Sequence, residues 1–192
     1  MARMIFFCKN CNSTYGADSG TINDCPDCKI TLIETHITAD FWRSLSDDQK
    51  EQRRKNIAHE FYLREQRERE KEQTIANMLI TSGFNFDGHK IVRYAGYISG
   101  DAAMTVNRGS SFTDGGVRDN LMASLGEIRR NALHELKEAA YYLGCNAVIG
   151  VDFDYITLDP HTANITGGTT YQPYVFCVTA NGTAVVIEET ND

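Results

Sequence analysis

Apolar and polar positions follow three rhythms along the chain. Residues 4–8 (Met-Ile-Phe-Phe-Cys) and 30–37 (Ile-Thr-Leu-Ile-Glu-Thr-His-Ile) are short runs rich in β-branched and aromatic side chains, and they predict two strands. Asn, Ser, Gly, Asp and Thr fill the stretch between them, a loop composition. From Ser46 to about Gln73 the alternation stops. Glu, Gln, Lys and Arg dominate there without Gly or Pro, and Ile57 and Phe61, with Ala58 and Tyr62 beside them, leave only a narrow apolar stripe. Ser46, followed by Asp47 and Asp48, offers a hydroxyl cap and then acids at the positive end of a helix dipole. Glu65 with Arg69 and Glu68 with Lys71 stand at helical pair spacing. A charged helix is predicted.

The third rhythm begins at Met78-Leu-Ile-Thr81, a short strand. A longer strand follows from His89 to Met104, where Gly96 and Gly100 predict a bulge or a close backbone approach. Leu121, Leu125, Ile128, Ala132, Leu136, Ala139 and Leu143 recur at intervals of four and three, one apolar stripe of a helix starting near Val117. Gly144 is placed to end it in the left-handed conformation. Ala147, Ile149, Val151, Phe153 and Tyr155 then alternate with Gly150, Asp152 and Asp154, which predicts a strand with its apolar side chains on one face. Tyr174–Ala180 and Thr183–Glu188 flank Asn181-Gly182, a strong hairpin signal. The fold class expected is α+β in three parts: a small ribbon over 1–39, a charged helical linker over 40–74, and an α+β domain over 75–192.

Composition narrows the function classes. Hydrophobic residues make up 42%, enough for a packed core, and the formal net charge is −7. Residues 1–39 carry three bases and four acids, 40–73 nine of each, and 74–192 seven bases and thirteen acids. No part is basic, which argues against attraction to nucleic acid or anionic lipid. Arg53, Arg54 and Lys55 form the one basic cluster, and acids surround it. The apolar run before Cys8 is too short for a signal-peptide core, and no later run approaches a membrane span. A cytoplasmic home is expected, where thiols stay reduced.

That expectation matters for Cys8, Cys11, Cys25 and Cys28, spaced C-x2-C-x13-C-x2-C. Two close thiolate pairs on opposite sides of a hairpin can surround one tetrahedral Zn²⁺. The metal would supply about 10–16 kcal/mol, enough to organise a unit too small to fold by burial alone. A dithiol redox pair is the weaker reading, because the second C-x-x-C does not open a helix beside a strand. Four thiolates leave no open coordination position, so catalysis at this metal is not expected. Asn12 and Lys29 follow the two pairs, where glycine would take positive φ most easily. Cys145 and Cys177 read as small buried apolar side chains. Asp152 and Asp154, with Asp159 and His161 nearby, could offer a second cation site, although carboxylates on the wet face of a strand are more often solvated. His36, His59, His89 and His134 read as surface or capping residues.

Three stretches carry a resemblance: Gly88-His-Lys-Ile-Val-Arg-Tyr-Ala-Gly-Tyr-Ile-Ser-Gly100, Leu143-Gly-Cys-Asn-Ala-Val-Ile-Gly-Val-Asp-Phe-Asp154 and Gly182-Thr-Ala-Val-Val-Ile-Glu188. In this order they resemble the YbjQ family (UPF0145), whose members are labelled for heavy-metal binding. Cys145 stands where that family usually has alanine, and His89 where it has an aromatic residue. The resemblance covers about 78–189 and implies a dodecin-like β-α-β-β subunit that assembles with its own copies into a ring, a pentamer. It brings no catalytic set. The combined expectation is a non-enzymatic zinc-ribbon protein whose second part is a homo-oligomeric binding or assembly scaffold, with the ribbons as contacts for a protein partner. The alternative is metal-ion binding, sensing or sequestration by the C-terminal domain.

Overall fold

The structure is a computed structural model that describes residues 3–18, 20–106, 114–158, 163–165, 168–170 and 174–190, with side chains except at 106, 114–121, 163–165, 168–170 and 174. The chain divides into two compact units, Met1–Glu70 and Lys71–Asp192.

The first unit is built around β1 (Met4–Phe7), flanked antiparallel by β2 (Thr14–Ala17) and β3 (Ile33–Thr38). The β2 strand lies within the stretch expected to be loop. Its pairing of Tyr15 with Phe6 explains why a polar segment becomes strand: the tyrosine ring packs beside the cysteines. Alternation along β1 sends Ile5 and Phe7 to one face and Phe6, with the following Cys8, to the other. Two small cores result. On one side Ile5 and Phe7 meet Ile37, Ala39, Trp42 and Ile57; on the other Phe6 and Cys8 meet Cys25 and Leu32.

Helix α1 (Ala39–Ser44) supplies Trp42, and Thr38 caps it by accepting the Phe41 N–H. Helix α2 (Asp47–Asn77) opens on a capping box in which the Ser46 hydroxyl accepts the Gln49 N–H and the Gln49 side chain accepts the Ser46 N–H. Its narrow apolar stripe closes the first core: Ile57 is buried, and Phe61 stacks on Phe7 with ring centroids 6.2 Å apart. Glu65 takes both Arg69, at 3.6 Å, and Lys9, at 2.8 Å. Lys71 does not turn to Glu68. It pairs with Glu138, where a tyrosine hydroxyl also reaches it.

In the second unit β4 (Leu79–Ile80) lies parallel to β6 (Ala147–Leu158), and β9 (Tyr174–Glu189) runs antiparallel between β6 and β5 (His89–Val106). Two short strands, β7 (Ala163–Ile165) and β8 (Gly168–Thr170), pair with each other. Helix α3 (Asp114–Tyr142) joins β5 to β6, giving the expected β-α-β-β order. Its buried line is Ile128, Ala132, Leu136 and Ala140, a strict spacing of four; Ala139 is half-buried and Leu143 exposed. Gly100 of β5 lies directly beneath, so close that a Cβ would sit 2.2 Å from the Leu136 nitrogen. The helix ends as expected at Gly144, φ 64°, with Cys145 N–H bonded to Ala140 O and Gly144 N–H to Tyr141 O. Arg93 donates to the last carbonyls, Leu143 and Gly144.

Two expectations fail here for physical reasons. Asn181-Gly182 is no hairpin turn: β9 runs straight through it and is paired on both sides, to Ser99 and Ile98 of β5 and, at Asn181, to Asp152 of β6. Pairing from two neighbours overrides the local turn preference. Gly182 serves close approach instead, since a Cβ there would meet Val148 Cγ1 at 2.6 Å. Nor do the apolar residues of β6 share one face. Gly150, at φ 62°, sits in a register shift between Ile149 and Asp152, and the extra residue reverses the alternation. Val151 and Phe153 therefore join the core under α3, whereas Ala147 and Ile149 pack with Val185, Ile187, Phe86 and Ile91 in a second cluster.

Candidate metal centre

Each cysteine pair sits in the same kind of turn. Cys8 N–H bonds to Ser13 O and Asn12 N–H to Cys8 O; Cys25 N–H bonds to Ile30 O and Lys29 N–H to Cys25 O. Asn12 and Lys29 occupy matching positions with φ of 57° and 58°. The repeated geometry turns two sulfurs inward from each side.

The four Sγ atoms all lie within 4.8 Å of one another. Cys11 and Cys25 Sγ are 3.7 Å apart; ligand–metal bonds of ~2.3 Å in a tetrahedron require sulfur–sulfur separations of about 3.8 Å. The residues thus fit one tetrahedral ion. Cys8 and Cys25 are buried, Cys28 is half-buried and Cys11 is exposed, which puts the centre at the surface of the first unit.

Hydrogen bonds bias these sulfurs unequally. Bonds from Ser13, side chain first and backbone second, bring the Cys11 thiol down to about 6. Burial works against ionisation of Cys25, but bonds from Tyr15 and from the Cys28 and Asp27 backbone outweigh it, and the thiol is lowered. At Cys28 the Asn10 amide favours the thiolate, yet the neighbouring Cys11, burial and Cys25 together push it up to about 11. Four thiolates cannot all persist so close together without a cation among them. Tyr15 and Asn10 were not singled out from the sequence. Tyr15 reaches Cys25 because β2 forms, and that strand was hidden in a loop-like composition.

The other candidates do not converge. Among the described residues the cysteine quartet is the group whose metal-ligating atoms come together. Asp154 accepts a hydrogen bond from Asn181 at 2.7 Å, and the Asp152 carboxylate accepts the Phe153 N–H. Asp159 and His161 lie outside the described residues. His36 is exposed in β3 at φ 56°; His89 faces Phe86 edge-on; His59 and His134 are exposed. Cys145 is buried in the core, which raises its thiol, and Cys177 is half-buried on β9. No described helix is long and apolar enough to cross a membrane.

Fold and site together define a four-cysteine ribbon followed by a β-α-β-β sheet domain. Residues 78–188 match the sequence model of the YbjQ family, described as "Putative heavy-metal-binding", and the chain belongs to that family. UPF0145 proteins of Acetivibrio thermocellus and Clostridium kluyveri are each 36% identical to it over 117 residues, 58% of this chain and 100% of theirs. A crystal structure of a protein of unknown function from Pediococcus pentosaceus, of the DUF74 family, aligns over 58% of this chain and 98% of its own, with 16% identity and a TM-score of 0.38. The cysteine quartet lies outside the residues matched to the family.

Proposed function

We infer that this is a zinc-ribbon protein without a reaction of its own: Cys8, Cys11, Cys25 and Cys28 hold one Zn²⁺, and the second unit associates with copies of itself as a binding or assembly scaffold. The convergence of four sulfurs carries this reading. An all-thiolate tetrahedral set selects zinc or iron over hard cations, and once filled it leaves no position for water or substrate. The ion's role is then to hold the unit together. The family's heavy-metal description attaches to residues 78–188, and the quartet lies before them; among the described residues of 78–188 no comparable set converges.

What supports self-association is strand β5. Among the described residues it pairs with β9 alone in its sheet, and it carries Tyr94 and Tyr97 at 66% and 73% exposure. A long strand with one open edge and exposed rings is a liability in a lone subunit. A ring of copies, five by the family resemblance, would cover it and display several ribbons to one protein partner in the cytoplasm, multiplying a weak contact.

Elemental analysis of protein purified without chelator tests the first half, with one zinc per chain expected. Mass in solution tests the second, with an oligomer expected at micromolar concentration. Absence of bound metal removes the ribbon; a strictly monomeric mass removes the scaffold. Stoichiometric metal persisting in a Cys8→Ser/Cys28→Ser variant would move the metal to the second unit.

A further inference from the structure

Both sulfurs of the second cysteine pair receive a side-chain contact from the first half of the ribbon. Asn10, between Cys8 and Cys11, places Nδ2 at 3.3 Å from Cys28 Sγ. Tyr15, on β2, places its hydroxyl 3.4 Å from Cys25 Sγ and donates to Asp27 Oδ2 at 2.8 Å. A thiolate on a metal still carries lone-pair density, and donors from the surrounding shell hold it in place.

Tyr15 has one hydroxyl hydrogen and two acceptors. When Cys25 is a thiol, its S–H can point at the tyrosine oxygen while the tyrosine hydrogen goes to Asp27. When Cys25 loses its proton to become a ligand, the sulfur can only accept. The hydroxyl must then serve the sulfur, and Asp27 competes for the same hydrogen. Asn10 Nδ2 carries two hydrogens, so one can stay with Cys28 whatever the other meets.

We propose that Asn10 and Tyr15 are positioning residues of the metal centre, that they fasten the Cys25 and Cys28 thiolates from across the ribbon, and that Asp27 weakens the fastening by drawing on the Tyr15 hydroxyl. This rests on the four-cysteine metal reading above. It makes retention of the ion depend on residues beyond the four ligands.

The test uses the full chain, loaded with zinc for release into a chromophoric chelator and with cobalt for its sulfur-to-metal charge-transfer bands. Asn10→Ala and Tyr15→Phe each release zinc about 10-fold faster than the parent, the usual cost of losing an outer-shell partner. Their cobalt bands move to lower energy, because a sulfur without its donor gives up charge more easily; a purely structural role would leave the bands in place. Asp27→Asn releases zinc more slowly, and most of that gain vanishes in the Tyr15→Phe background. Parent-like rates and bands in Asn10→Ala and Tyr15→Phe overturn the inference, as does an Asp27→Asn effect that is equal with and without the Tyr15 hydroxyl. A parent chain that takes up neither metal overturns the metal reading itself, a separate result.

Discussion

Lys29 holds φ at 58° in the turn after Cys28, a conformation that costs a residue with a Cβ about 1–2 kcal/mol. Lys29→Gly relieves that strain but loosens the unfolded chain, and we expect a net gain of about 0.5–1 kcal/mol in the metal-loaded ribbon, read from chelator-resistant thermal melting. Unchanged or lower stability would mean that the lysine side chain contributes something the turn geometry does not reveal. Gly100 makes the opposite case. Its missing Cβ is required by backbone atoms, with Leu136 N at 2.2 Å and Ala132 O at 2.4 Å from where it would sit. Backbone cannot step aside as a flexible side chain can, so Gly100→Ala must lift α3 from the sheet. A loss of about 3 kcal/mol is expected in denaturant titration. Gly100 was marked by the sequence as a bulge or a close approach. The bulge went to Gly96, at φ 125° beside a register shift, and the approach to Gly100.

Among the elements, α2 departs most from the picture its composition draws. Its surface is almost wholly charged, yet Ile57 and Phe61 complete the core beneath β1. Phe61→Ala removes the ring stacked on Phe7 and should cost the first unit about 2 kcal/mol, visible as earlier metal loss on heating. At its other end Lys71 meets Glu138 and Tyr142 of α3, and its ammonium lies 5.0 Å from the tyrosine ring centroid. Chiefly the hydrogen bond from Lys71 lowers the Glu138 carboxyl below its ordinary 4.5. A carboxyl lowered on folding contributes stability above its unfolded value, and that contribution is lost as pH falls through the folded one. The second unit should therefore melt later than its Glu138→Gln variant at neutral pH, and the gap should close as pH drops below 4.5. A gap independent of pH would assign the clamp to packing rather than charge.

For the whole molecule, the proposed ion and the hydrophobic effect would contribute in different proportion to the two units. The first has two small clusters, one of them built around Cys8 and Cys25 themselves; the second has a larger core under α3. Chelation should release hydrogen-exchange protection in β1 and β2 while leaving α3 and β9 protected. Loss of protection in both together would show that the units fold as one.

Some of this protein could be decided from the chain alone. The cysteine spacing foretold the quartet because a two-residue gap confines both sulfurs to one turn. The heptad-like run to Gly144 foretold α3 because helical periodicity is local. Tertiary structure alone decided the rest. A bulge at Gly150 reversed every later side chain of β6, pairing on both sides drew Asn181-Gly182 into a strand, and a loop-like stretch became β2 and carried Tyr15 to Cys25. Each of these depends on a partner strand, for β6 and β9 one distant in sequence, and no local pattern records which neighbour a backbone will meet.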